Sequence, residues 1–243
     1  MVRLELVPVL RISRELYDMP RGRERFTAYL RAMIGADGEL ALPLPMLNPM
    51  GKAPVAAVLD ALLELDAEAI AQAALDDAAA RCAAFDDALR VSLVVADDAA
   101  GGWTNRFFSD AQHRFESKYF VRNAWAVALL WTSEPVDAQT VRRAVLAAVR
   151  RTLRQRASGL PQTLDAMLAQ EGDALAFAGE SPRYDVPTRD SIARTLAPHR
   201  STRSFSVIFA ALYGDDAAQE CGYDPLGIPP WGGFDLALAE ADA

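Results

Sequence analysis

Three apolar segments with strand character lie far apart in this chain, and helical patterns separate them. They are residues 2–12, 90–96 and 119–131. Between them, apolar side chains recur at helical spacing, as at Val55, Leu59 and Leu62. The sequence therefore predicts an α+β fold, with a small sheet of about three to four strands covered by several helices. A three-layer α/β arrangement is the alternative.

The composition supports many helices in one folded body. The chain has 243 residues, 46 of them alanine, the residue with the highest helix propensity. It shows no internal repeat and no low-complexity linker, so we expect a single globular domain over residues 1–243. The proline-rich loop near 39–50 and the loop near 178–187 are the only candidate boundaries.

The charge is unevenly distributed along the chain. The net charge is −8, which argues against a nucleic-acid-binding protein, because phosphate neutralisation needs a basic surface. Segments 32–100 and 204–243 are acidic, whereas segments 1–31 and 137–203 are basic. These segments either screen each other on neighbouring surfaces or leave a local basic site for a small anionic ligand.

Other protein classes are disfavoured by what the sequence lacks. No apolar run approaches the roughly 18 residues that a membrane span needs, and charged residues interrupt the N-terminus, unlike a signal peptide. Cys82 and Cys221 are too few for a disulfide framework. We therefore expect a soluble protein in a reducing, cytoplasmic setting, without membrane partners.

The common catalytic and nucleotide-binding motifs are absent from the sequence. It contains no Gly-x-Ser-x-Gly, Gly-x-Gly-x-x-Gly, His-Glu-x-x-His, Cys-x-x-Cys or complete phosphate-binding loop. Whether the protein is an enzyme, and which cofactor it uses, therefore stays open.

The first candidate site lies on a predicted helix over residues 105–116. Asp110, His113 and Glu116 follow each other at steps of three, on a different face from the aromatic side chains. A carboxylate one turn before a histidine can fix its tautomer and raise its basicity, which suggests a catalytic general base. The same three side chains could ligate a metal, or form an ordinary solvated face.

The second candidate site is the loop that joins the clearest strand to this helix. Its glycines, Gly101 and Gly102, would let the backbone approach a ligand, and helix N-terminal N–H groups favour an anion. Four further residues could supply hydrogen bonds or an apolar wall. They are Trp103, Thr104, Asn105 and Arg106. The alternative is a surface connection whose Thr104 or Asn105 caps the helix.

Lys52 is the third candidate. It follows Gly51 just before a predicted helix, which is half of a phosphate-binding loop. The first glycine and the following Ser or Thr are missing, so Lys52 would bind an anion only through its own charge and the helix N-terminus. An ordinary proline-delimited helix start is the alternative.

Two functional hypotheses follow from these features. The first is a small-molecule or anion-binding site near residues 97–116. The second is a non-catalytic interaction or scaffold protein that self-associates through its alanine-rich helices as a homo-oligomer.

Overall fold

The sheet contains three parallel strands among the residues that the structure describes. The structure is a computed structural model and describes residues 2–35, 38, 41–45, 47–51, 53–99 and 105–241. The strands are β1 (Arg3–Leu6), β2 (Ala88–Ala96) and β3 (Trp125–Trp131), in the order β1-β2-β3. The architecture is α+β with a small sheet, which confirms the prediction.

Helices account for most of the remaining described chain. In order they are α1 (Leu10–Asp18), α2 (Arg23–Met33), α3 (Ala53–Glu64), α4 (Ala67–Arg81), α5 (Arg106–Phe115), α6 (Lys118–Arg122), α7 (Ala138–Ser158), α8 (Leu164–Ala178), α9 (Val186–Leu196), α10 (Phe205–Tyr213), α11 (Asp215–Glu220) and α12 (Gly232–Ala241). A short 3-10 helix, Ala197–His199, follows α9.

Two strands are shorter than the sequence pattern suggests. β1 ends at Leu6, just before Pro8, and residues 10–12 belong to α1. The Leu10 backbone N–H donates to Oε1 of Glu68 at 3.0 Å, a helix-start contact that joins residues 58 positions apart. The segment 119–131 likewise begins as helix α6, and Ala124, with a positive φ of 55°, turns the chain into β3. The lengths predicted for both strands from local apolar runs were therefore too long.

The chain folds into two compact units. Unit 1 is Met1–Arg106 with Tyr119–Thr152, and unit 2 is Phe107–Lys118 with Leu153–Ala243. The division falls inside α5, at the start of α6 and inside α7, and none of these points lies near 39–50 or 178–187. The single domain over residues 1–243 stays a prediction.

The core of unit 1 surrounds β2. Every residue from Val91 to Ala96 is buried, so both faces of this strand are covered, as is usual for a parallel sheet. Helix α4 packs against β1, and α3 packs against β2. The carboxyl ends of β2 and β3 lead directly into polar residues.

The core of unit 2 is rich in aromatic rings from helices and from the C-terminal segment. The rings of Tyr213 and Phe234 lie 5.1 Å apart, and those of Trp231 and Phe234 lie 5.4 Å apart. Phe234 belongs to this core, and Trp231 packs against it. Among the described residues, none of the helices combines the length and the apolar character that a membrane crossing needs.

Candidate functional site

Polar side chains converge where β2 and β3 end, at the carboxyl edge of the sheet. Ala96 and Trp131 are register partners, so the residues that follow them start side by side. We call the resulting group the edge cluster. It consists of Asp97, Asp98, Arg106, Thr132, Ser133 and Glu134.

Asp98 is the most firmly held member of the edge cluster. Its Oδ1 accepts hydrogen bonds from the Ser133 backbone N–H at 2.9 Å and from the Thr132 hydroxyl at 3.0 Å. Its Oδ2 accepts from the Ser133 hydroxyl at 2.6 Å and from Arg106 Nη1 at 2.8 Å. Burial raises the pKa of Asp98, but the hydrogen bonds from Ser133 and Thr132 and the charge of Arg106 outweigh it, and the net pKa lies below its usual value.

Arg106 lies between two carboxylates. Its Nη1 contacts Asp98, and its Nη2 donates to Oε1 of Glu134. The guanidinium also lies over the ring of Trp131, 5.1 Å from its centroid. Arg106 therefore fixes the end of the 97–106 segment against the end of β3.

The Asp97 carboxylate accepts fewer hydrogen bonds from the described residues than the Asp98 carboxylate does. Only 7% of the residue is exposed. Among the described residues, its one hydrogen bond is with the Thr132 hydroxyl, which lies 3.3 Å from Oδ1. Thr132 has a single hydroxyl proton, and Asp98 Oδ1 is nearer to it, at 3.0 Å. Asp97 therefore accepts fewer hydrogen bonds from the described residues than Asp98 does.

Tyr17 contacts the loop that precedes Lys52. The Tyr17 hydroxyl donates to the backbone carbonyl of Asn48 and lies 2.8 Å from the position that a Cβ on Gly51 would occupy. Burial raises the pKa of Tyr17, Arg25 opposes that rise, and the charge of Asp97 adds to it. Tyr17 therefore anchors the loop around Asn48 and Gly51 in unit 1 and lies within electrostatic range of Asp97.

Arg25 helps to hold this arrangement. It is buried, its Nε donates to the Met19 carbonyl at 2.8 Å, and its Nη2 donates to the Tyr17 carbonyl at 3.0 Å. Its Nη1 lies 3.4 Å from the Pro49 carbonyl. The Tyr17 and Met19 carbonyls are at and just beyond the C-terminus of α1, where unpaired carbonyls and the helix dipole favour a cation. Arg25 thereby joins α1 to the loop that precedes α3.

Several predicted ligand-binding residues lie outside the described residues. They are Lys52, Gly101, Gly102, Trp103 and Thr104. Of the same set, Arg106 takes part in the edge cluster, and Asn105 is half-buried immediately before α5.

The three residues predicted on the polar face of α5 have different surroundings in unit 2. Glu116 is exposed just beyond the helix, and His113 is half-buried. Asp110 is buried, so a solvated face containing all three residues is the wrong description. The reason is tertiary: other helices supply hydrogen-bonding and charged partners that make burial of the Asp110 carboxylate tolerable.

The partners of Asp110 form a buried polar network. Its Oδ2 accepts from Arg114 Nε at 2.6 Å and from the Tyr213 hydroxyl at 2.8 Å. Arg114 Nη1 contacts Oε2 of Glu171 at 2.6 Å, and Gln170 donates to the other oxygen of Glu171 at 3.0 Å. Burial raises the pKa of Tyr213 well above its usual value, and the adjacent Asp110 adds to that rise. This network joins α5, α8 and α10, which gives it an evident structural role.

The metal-ligand interpretation of α5 finds no geometric support in this part of the chain. Within the described residues, no three or more His, Cys, Asp or Glu side chains are grouped so as to hold a metal ion. The Oδ2 atom of Asp110 already accepts hydrogen bonds from the Arg114 guanidinium and from the Tyr213 hydroxyl.

The site residues predicted from the sequence do not include Asp98, Thr132, Ser133 or Glu134. The feature of the sequence that could have indicated them is that each follows a buried apolar strand within four residues. It becomes informative only when the two strands are known to be parallel neighbours, because their carboxyl ends then lie at one edge.

Comparisons of the chain with protein-family models, curated proteins and solved structures find no match.

Proposed function

We propose that this protein binds a small polar molecule at the carboxyl edge of its three-stranded sheet. The observation that carries the proposal is the interlocked geometry of Asp98, Ser133 and Arg106, which fixes polar groups from two adjacent strand ends. In open parallel sheets, ligands characteristically bind outside the carboxyl ends of the strands. Binding groups held rigidly by their neighbours suit such a role.

The location agrees with the part of the sequence hypothesis that concerns residues 97–106. The proposed site lies in unit 1 and uses the residues after β2 and β3. Asp110, His113 and Glu116 are not needed for it, because the contacts of Asp110 in unit 2 already explain its burial.

The self-association hypothesis has less support. It depends on alanine-rich helical faces being available to a second copy of the chain. In α4 the alanine face, which includes Ala71, Ala74 and Ala78, is buried within the chain. Those side chains already contribute to a core and offer no exposed apolar surface.

The test is a binding screen by isothermal titration calorimetry with defined probes of three charge types. The probes are putrescine and ethanolamine as cations, inorganic phosphate and citrate as anions, and ribose as a neutral molecule. We expect at least one probe to bind the wild-type protein, and Ser133→Ala to weaken that binding at least tenfold. Ser201→Ala, at an exposed position in unit 2, is the matched control and should leave binding unchanged.

Circular dichroism on each variant verifies that it is folded at the titration temperature. The proposal fails if no probe of any charge binds, or if Ser133→Ala binds every probe as well as the wild type does.

A further inference from the structure

A groove with a volume of about 680 Å³ lies in unit 2. Three elements line it: the first turns of α9, the start of α11 and the loop that precedes α12. Its volume falls within the range of roughly 300–1,000 Å³ that is typical of small-molecule sites. None of its lining residues belongs to the edge cluster, so the groove is a separate feature of the molecule.

Proline and isoleucine side chains supply the apolar lining of the groove. They are Pro187, Ile192, Ile228, Pro229 and Pro230. Ile192 and Ile228 are also buried members of the core of unit 2, so the apolar lining is continuous with that core. A mostly apolar lining with a few polar groups is the usual composition of a ligand pocket.

Asp215, the first residue of α11, holds the loop side of the groove in place. Its carboxylate accepts hydrogen bonds from the backbone N–H groups of Leu226 at 2.9 Å, Gly227 at 3.0 Å and Ile228 at 3.1 Å. Its own N–H donates to the Ile228 carbonyl at 2.9 Å. A loop that is fixed before binding loses little further conformational freedom when a ligand binds.

The backbone of this loop is poorly suited to bind an anion or a peptide main chain. Pro229 and Pro230 have no N–H, and the two preceding N–H groups donate to Asp215. The Pro229 carbonyl accepts from the Gly232 N–H at 2.9 Å, and the Pro230 carbonyl accepts from the Tyr184 hydroxyl at 2.9 Å. A bound peptide would therefore leave main-chain groups without partners along this wall.

The charged groups that line the groove are negative. They are Asp215 and Asp216, and among the described residues no lysine, arginine or histidine lines it. Asp216 is exposed, so its carboxylate is accessible to a ligand. The N-terminus of α9 would otherwise favour an anion, but Asp185 already caps it by accepting from the Thr188 N–H at 3.0 Å. The electrostatics of the groove therefore favour a cation.

We propose that this groove binds a small organic amine. The apolar part of the ligand packs against the proline and isoleucine side chains, and its ammonium group pairs with Asp216. Such a ligand has one polar end and an apolar body, which matches one accessible carboxylate beside an apolar surface. This site is additional to the one proposed at the edge of the sheet and does not rest on it.

The first test compares three probes that share a phenyl group and differ in charge. Phenethylamine, 2-phenylethanol and phenylacetate are titrated calorimetrically into the wild-type protein. We expect phenethylamine to bind at least fivefold more tightly than the neutral and the anionic probe. The inference is overturned if phenethylamine does not bind, or if it binds no more tightly than either of the other two.

The second test locates the bound amine. Asp216→Asn removes the charge at nearly constant size and should weaken phenethylamine binding at least fivefold, and Ser191→Phe should do the same by filling the groove. The matched controls are Asp224→Asn and Ser201→Phe, at exposed positions of unit 2 outside the groove, and each should change binding less than twofold. Circular dichroism verifies that every variant is folded.

The same titrations separate this inference from the proposed function. Ser133→Ala should leave phenethylamine binding unchanged, because Ser133 belongs to the edge cluster in unit 1. If Ser133→Ala weakens phenethylamine binding and Asp216→Asn does not, the amine binds at the edge of the sheet and the groove proposal is wrong. If Asp216→Asn and Ser191→Phe both bind phenethylamine as the wild type does, the groove is not its site.

Discussion

Ser133 binds both carboxylate oxygens of Asp98. Its backbone N–H donates to Oδ1 at 2.9 Å, and its hydroxyl donates to Oδ2 at 2.6 Å. One residue after β3 thereby fixes a carboxylate that follows β2, although the two are 35 positions apart in the chain. This pair joins two strand ends and gives the edge cluster its rigidity.

Replacing Ser133 with alanine should destabilise the protein by about 1–3 kcal/mol, because a buried carboxylate oxygen loses a donor. The measurement is urea-induced unfolding followed by circular dichroism. Ser201→Ala, at an exposed position, is the control and should change the free energy of unfolding by less than about 0.5 kcal/mol. Equal effects of the two substitutions would contradict the role given to Ser133.

The contribution of Asp98 should depend on pH. Its folded-state pKa is lowered, so its ionisation stabilises the protein above the ordinary aspartate pKa of about 4, and this stabilisation is lost as the pH falls through the lower folded-state pKa. Urea unfolding of the wild type and of Asp98→Asn at pH 7, 4 and 3 measures it. The difference in free energy of unfolding between the two proteins should shrink as the pH falls. A difference that stays constant would show that Asp98 does not titrate in this way.

Removing Arg114 should have a large effect on the stability of unit 2. Arg114→Met takes away the guanidinium that contacts Asp110 and Glu171, both of which are buried. Breaking one side of a buried ion pair typically costs about 3–5 kcal/mol.

The matched control for Arg114 is Arg154→Met. Arg154 is 37% exposed and lies 3.5 Å from Asp173, so its loss should cost only about 0–1 kcal/mol. Chemical denaturation of both variants provides the comparison. A loss at Arg114 no larger than that at Arg154 would mean that the buried network contributes little to stability.

Gly172 allows α8 and α12 to approach closely. A Cβ at this position would lie 2.2 Å from the Ala237 carbonyl oxygen. Gly172→Ala should therefore destabilise the protein by about 1–3 kcal/mol through overpacking, despite the higher helix propensity of alanine. Ala169→Ser, at an exposed position on the same helix, should have little effect on the melting temperature. A Gly172→Ala variant as stable as the wild type would show that the helices can separate at little cost.

Helix positions were largely predictable because they depend on local periodicity. The apolar spacing of Val55, Leu59 and Leu62 predicted a helix, and these residues lie in α3; the helix predicted over residues 105–116 is α5, Arg106–Phe115. Strand lengths were less predictable. The segment 119–131 is apolar throughout, yet it contains both α6 and β3, and periodicity alone does not distinguish a short buried helix from a strand.

The candidate site was predictable in part. A polar, glycine-containing loop after the clearest strand indicated the region of Asp97 to Arg106, and the edge cluster includes both of these residues. The contributions of Thr132, Ser133 and Glu134 were not predictable, since the sequence does not state which strands pair or in which direction.

The sequence by itself determined an α+β chain with few strands and many alanine-rich helices, because propensity and hydrophobic spacing act over a few neighbouring residues. The tertiary structure decided that β2 and β3 are parallel neighbours, and therefore that Asp98 and Ser133 meet at one edge. It also decided that Asp110 is buried, since its partner Tyr213 lies 103 positions away. Such long-range contacts depend on how the elements pack, and local sequence patterns carry no record of that packing.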